Sequence, residues 1–153
     1  MAAPANVPTA LDLEHFLPYR LSVLSNTVSA ALAGAYARRF GLTIPQWRVV
    51  AVLARTPGLS AAGVAERTAM DKVAVSRAVQ SLLAARRIVR AYDKGDRRRS
   101  ILRLSSAGRA VYARVAPLAL GYERKLLAAL SASDRRALDR LIGRLIERAR
   151  SLE

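Results

Sequence analysis

The chain has 153 residues, 26 of them basic and 11 acidic, for a formal charge of +15. Its length suits one domain, and a hydrophobic share of 52% excludes wholesale disorder. The absence of Cys and the single His, His15, exclude a disulfide framework, a cysteine redox switch and a thiolate or multi-histidine metal site, so no metal or other cofactor is expected.

Residues 1–10 are rich in Ala and Pro and form an expected flexible N-terminus ahead of a single domain over 11–153. From Pro18 onward, Leu21, Leu24, Val28, Leu32 and Tyr36 recur at three and four residues, which predicts a helix over about 18–40 stopped at Gly41. Thr43 caps a second helix carrying Pro45, Trp47, Val50, Ala51 and Ala54, and Pro57-Gly58 ends it. Ser60 caps a short third helix, roughly Ala61–Arg67, and Asp71 caps a fourth that runs to about Arg86. Ile88–Tyr92 and Ile101–Leu104 are two short β-like runs around the Gly-containing segment Asp93–Arg99, a hairpin with a charged tip. Ser105 caps a long fifth helix in which Pro117 predicts a kink. Ser131 and Asp134 form a capping box for a last helix with the apolar stripe Leu138, Leu141, Ile142, Leu145, Ile146 and Ala149. The expected fold is mainly α, with a winged helix-turn-helix over about 44–104 whose wing is the hairpin.

No stretch approaches the roughly 18 apolar residues of a membrane span, and Met1–Pro8 lacks the basic and apolar regions of a secretory signal. A cytoplasmic protein without a membrane partner is the expectation. The charge is unevenly spread: residues 60–110 hold 12 basic and 4 acidic residues, net +8. Such a field steers association with phosphates. In the fourth helix, Ala74, Val75, Ala78, Val79 and Leu82 share one face, while Lys72, Val73, Ser76, Arg77, Gln80 and Ser81 share the other. A polar outer face is usual for any surface helix. This one, however, has no acidic group between Lys72 and Ser81 and carries the donors that read guanine and adenine edges. Arg97, Arg98 and Arg99 on one turn repel one another unless anions neutralise them, and a narrow minor groove attracts inserted arginines. Asp93 and Asp96 are expected to orient these arginines through charge-assisted hydrogen bonds. Double-stranded DNA is therefore the expected partner.

Three segments resemble the MarR family of transcriptional regulators: Pro45-Gln-Trp-Arg-Val-Val-Ala-Val-Leu53, Met70-Asp-Lys-Val-Ala-Val-Ser-Arg-Ala-Val-Gln80, and Arg90-x-x-Asp93-x-x-Asp96-Arg-Arg98 followed by Leu104-Ser-Ser-Ala-Gly108. The resemblance spans roughly residues 18–150. It departs at Arg86, where the family usually has Gly, and at Ser105, where it usually has Thr. It implies a homodimer joined through helices at about 18–40 and 106–151, and a pseudo-palindromic operator. It also implies base reading by Lys72, Ser76, Arg77 and Gln80, a phosphate contact by Ser60, and Arg98 in the minor groove with Asp96 orienting it. The apolar stripes at both ends of the chain agree, since a lone winged domain would leave them exposed.

Members of this family are commonly repressors released by a small molecule bound between the dimer helices and the DNA-binding lobe. Lacking Cys and a His cluster, this chain is left with an organic effector or none. His15, Tyr19, Arg20, Tyr36, Trp47 and Arg48 are the candidate contacts, because aromatic faces beside cations suit an aromatic carboxylic acid or its acyl-coenzyme A thioester. Trp47 also fits a plain core role, and His15 that of an exposed residue before Pro18. Catalysis is not expected: the one His lies near the N-terminus, no nucleophile signature surrounds any Ser, and there is no Gly-rich phosphate loop. The rival to a ligand-responsive repressor is a ligand-independent architectural or constitutive DNA binder.

Overall fold

The computed structural model of the chain describes residues 10–96 and 98–152. Residues 1–9 of the expected flexible N-terminus therefore lie outside the described residues, as does Arg97. Six helices and one hairpin follow in chain order. α1 (Leu17–Phe40) starts with Pro18 in its first turn. It stops at Gly41, whose left-handed backbone (φ 60°) sends its N–H to the carbonyl of Ala37. α2 (Ile44–Arg55) opens on a reciprocal box between Thr43 and Gln46. α3 (Ala61–Thr68) and α4 (Lys72–Ala84) are capped by the side chains of Ser60 and Asp71. Ala69, in the turn between them, takes a left-handed conformation (φ 52°).

β1 (Ile88–Tyr92) and β2 (Ser100–Leu104) pair antiparallel, with Ile88 opposite Leu104 and Tyr92 opposite Ser100. The hairpin base is tied back to the loop between α2 and α3. Leu102 N–H donates to the Leu59 carbonyl at 2.8 Å, and Gly58 N–H donates to the Leu102 carbonyl at 2.9 Å. α5 (Ser106–Leu127) continues through Pro117 as one helix, and α6 (Ala132–Arg150) starts from the expected box of Ser131 and Asp134.

α4 ends two residues before the expected Arg86, for a specific reason. Arg87 N–H donates to the Leu82 carbonyl and Arg86 N–H to that of Leu83, the double bond pattern that closes a helix on a left-handed residue. That residue is Arg86 (φ 54°), where a β-carbon strains the backbone. The start of α5 locks the turn. Ser105 Oγ donates to the Arg86 carbonyl at 2.7 Å, and Ser105 N–H to that of Arg87 at 3.0 Å. Gly108 packs so close that a β-carbon there would stand 1.9 Å from the Arg87 carbonyl oxygen.

The core runs from Tyr36 to Val115. It joins the end of α1, the inner faces of α2 and α4, the hairpin base (Ile88, Leu102, Leu104) and the first half of α5. α6 contributes no buried residue, and Leu17, Leu21 and Leu24 on α1 are 45–56% exposed.

Candidate nucleic-acid interface

α4 buries Val75, Ala78, Val79 and Leu82 against α2 and α3, which turns Lys72, Val73, Ser76, Arg77 and Gln80 outward, all exposed. The single acid near the start of this helix, Asp71, is used as a cap: its Oδ1 accepts the Ala74 N–H at 2.8 Å. Val73 is apolar yet 59% exposed, suited to a thymine methyl. Ser60, half-buried at the head of α3, accepts the Gly63 N–H on its Oγ at 3.1 Å, leaving its own proton free to donate.

The hairpin tip departs from expectation in one respect. Asp96 Oδ1 accepts the backbone N–H of Arg98 at 2.9 Å, and Asp93 Oδ1 that of Gly95 at 3.0 Å. These short side chains reach amides two residues on, as Asp does in tight turns. They shape the turn and, among the described residues, pair with no guanidinium group. Asp93 N–H to the Arg99 carbonyl and Arg99 N–H to the Asp96 carbonyl close the tip. Arg98 and Arg99 stay exposed, and Arg97 lies outside the described residues. Among the described residues His15 Nδ1 lies 2.8 Å from Asp12 Oδ2, and no Arg or Lys pairs with a carboxylate. The described cations of this face are therefore free of direct ion pairs. Arg90, Tyr92 (63% exposed) and Arg103 add to the exposed hairpin surface. Strand alternation could have pointed to them, but nothing in the sequence set them apart from other charged positions.

The six candidate effector contacts divide into two groups. Tyr36 and Trp47 are buried with ring centroids 5.8 Å apart, and Arg48 Nη2 donates to Ser29 Oγ at 3.0 Å. Burial holds the Tyr36 hydroxyl above the ordinary phenol range, against the lowering influence of Arg48. Trp47 is a core residue, stacked on Tyr112 at 5.9 Å, a partner that sequence reasoning missed. His15, Tyr19 and Arg20 sit apart, exposed around the start of α1. A cavity of about 460 Å³ opens next to Tyr112, walled by Leu53, Ala54, Pro57 and Leu104, with Arg103 and Arg109 at its polar side and no carboxylate in its lining. These two arginines come from β2 and α5, and no local pattern announces that they meet. No helix among the described residues is long and apolar enough to cross a membrane.

Comparison with known proteins agrees with this geometry. Residues 40–99, from the end of α1 through the hairpin tip, match the MarR family. An HTH-type transcriptional repressor of Mycobacterium tuberculosis is 29% identical over 131 residues, covering 85% of this chain and 91% of that protein. The PcaV transcriptional regulator of Streptomyces coelicolor, solved with its natural ligand, superposes with a TM-score of 0.77 at 27% identity, over 92% of this chain and 99% of PcaV. The repressor CouR, solved on a 23-mer DNA duplex, superposes with a TM-score of 0.76 at 25% identity, over 90% of this chain and 99% of CouR. The capped helix pair, the hairpin wing, the basic outer face of α4 and these likenesses agree: over residues 40–99 the chain matches the MarR family, and along most of its length it is similar to winged helix-turn-helix transcriptional regulators.

Proposed function

We propose that this chain is a transcriptional repressor that binds a pseudo-palindromic operator as a homodimer and is released by an organic anion. The observation that carries the DNA half is the exposed face Lys72–Gln80 beside an arginine-tipped hairpin, with no carboxylate paired to a cation of this face among the described residues. Lys72, Ser76, Arg77 and Gln80 read base edges and Val73 meets a thymine methyl. Ser60 donates to a phosphate. Arg98 enters the minor groove, flanked by Arg97 and Arg99, on a tip that Asp96 shapes through the backbone. CouR, with the same architecture, was solved on DNA.

The dimer is supported by the uncovered apolar stripes of α1 and α6. Two-fold symmetry then sets the two recognition helices about 34–36 Å apart, one turn of duplex. For the effector, an aromatic carboxylic acid or its acyl-coenzyme A thioester suits the group Tyr36, Trp47 and Arg48. His15, Tyr19 and Arg20 lie on the uncovered stretch that a partner would close. PcaV was solved with its natural ligand. Release requires the ligand to prefer a dimer whose α4 helices are mis-spaced.

The test is a binding competition at fixed salt between an inverted-repeat duplex selected from random sequence and an unselected duplex, with and without aromatic acids. A large excess of affinity for the selected duplex, lowered by one of the acids, is the expected result. Equal competition, or no effect of any acid, favours a constitutive architectural binder. Arg98→Ala is expected to weaken binding and flatten the salt dependence by about one unit of slope; an unchanged slope means that the wing stays off the duplex.

A further inference from the structure

Beside the base-reading face, α2 and α4 flank a shallow groove of about 310 Å³ lined by Thr43, Pro45, Gln46, Ala74, Arg77 and Ala78. Ser81 continues the line of Ala74, Arg77 and Ala78 along α4 at helical spacing, and it is exposed. Its hydroxyl is gripped from the other helix: Gln46 Nε2 donates to Ser81 Oγ at 2.7 Å. The opposite end of the same amide is also committed, because Gln46 Oε1 accepts the Thr43 N–H at 2.9 Å and Thr43 Oγ1 accepts the Gln46 N–H at 3.3 Å. Rotating that amide by half a turn would set its NH₂ against the Thr43 N–H, donor against donor, so its orientation is determined.

The consequence falls on the proton of Ser81. A serine hydroxyl has one proton to give, and inside a helix it commonly goes to the carbonyl four residues back. Ser22 and Thr68 do this, donating to the carbonyls of Pro18 (3.1 Å) and Val64 (2.7 Å). Ser81 makes no such bond among the described residues. With Gln46 occupying a lone pair from the α2 side, the Ser81 proton is left to point outward. An outward donor needs an acceptor. The groove lining holds no carboxylate, and Arg77, one turn earlier on the same line, supplies positive charge. A recognition helix meets bases mainly with its N-terminal residues, so Ser81, near the other end, faces the sugar-phosphate backbone.

We propose that Ser81 contacts a DNA phosphate and that Gln46 is its positioning residue, holding the hydroxyl as an outward donor from α2. This rests on the DNA-binding function above and adds a backbone clamp that couples the α2 cap to the register of α4.

The test uses the full chain and a duplex that it binds specifically, with Ser81→Ala, Ser81→Thr, Gln46→Glu and the double variant Gln46→Glu/Ser81→Ala. Ser81→Ala is expected to weaken binding about tenfold, equally for every operator variant and with an unchanged salt slope, since no charge is removed. Ser81→Thr keeps the hydroxyl and the affinity. Gln46→Glu retains the acceptor for Thr43 N–H, so the melting temperature holds, but a carboxylate can only accept and draws the Ser81 proton back. It also adds a negative charge, which the Ser81→Ala background isolates. Gln46→Glu should therefore cost about tenfold more in the presence of Ser81 than in its absence. Equal costs in the two backgrounds, an unchanged affinity for Ser81→Ala, or a changed preference at a single base position overturns the proposal. If the unsubstituted chain prefers no duplex over random sequence, the DNA-binding function itself fails.

Discussion

The winged lobe and the terminal helices draw on the same apolar residue types, yet they use them in opposite ways. In the lobe the apolar side chains close on themselves: Val49, Val50 and Val64 are fully buried, and Leu53, Leu82, Ile88 and Leu102 nearly so. In α6 the apolar residues are as regularly spaced, but Leu138, Leu141, Ile142, Leu145 and Ile146 remain 39–53% exposed, alongside Leu17, Leu21 and Leu24 of α1. The difference lies in what each stripe can reach. α2, α4 and the hairpin are linked by turns of a few residues and fold over one another. The 19 residues of α6 meet almost nothing within their own chain, whereas most of a helix's stability in proteins comes from packing its apolar face. A continuous apolar stripe on an otherwise polar helix is the signature of a surface meant for another protein surface. One region closes a core of its own, and the other leaves its apolar face uncovered.

The largest expected effect would break this contrast at its outer side. Leu141→Asp combined with Leu145→Asp should give monomers by sedimentation velocity and reduce operator affinity on the order of a thousandfold, because two linked half-sites bind with high effective concentration. A dimer that survives both charges means that α6 is not its interface. Next, inside the lobe, Leu53→Ala should cost about 2–5 kcal/mol in denaturant unfolding while leaving the oligomeric state unchanged; a loss of dimer would show that the two regions are not separable. At the seam between them, Gly108→Ala drives a methyl group into the Arg87 carbonyl and should cost about 2 kcal/mol or more. A melting temperature equal to that of the parent would show that this junction yields freely. The smallest effect has the opposite sign. Arg86→Gly relieves the left-handed strain at the end of α4 and should raise stability by about 0.5–1 kcal/mol; a loss would mean that the Arg86 side chain contributes more than its backbone costs.

Much of the architecture was legible along the chain because its signals are local. Thr43, Ser60, Asp71, Ser105 and Ser131 cap the helices that follow them, each through an amide three residues away. The split of α4 into a buried and an exposed face follows from its period alone. The departures share a cause. Asp96 was expected on a guanidinium and is found on the backbone N–H of Arg98, because composition states which charges are near in sequence but not which atom is within reach. Arg86 stands where the family usually has Gly, and it takes the left-handed conformation itself (φ 54°), its carbonyl held by Ser105 nineteen residues on. His15, Tyr19 and Arg20 were grouped with Tyr36, Trp47 and Arg48 by chemistry, whereas the chain sets the first three on an exposed stretch and the others near the core.

The sequence alone determined where the capped helices start, the hairpin and the basic outer face of α4. Caps, periodicity and charge runs act over one or two turns, and their physics needs no distant partner. Only the tertiary structure decided that Tyr112 stacks on Trp47, that Arg103 and Arg109 meet at one cavity, and that Gln46 holds Ser81 across 35 residues of chain. Those pairings depend on how α2, α4, the wing and α5 cross, which side-chain volume and burial settle collectively and no short window of residues contains.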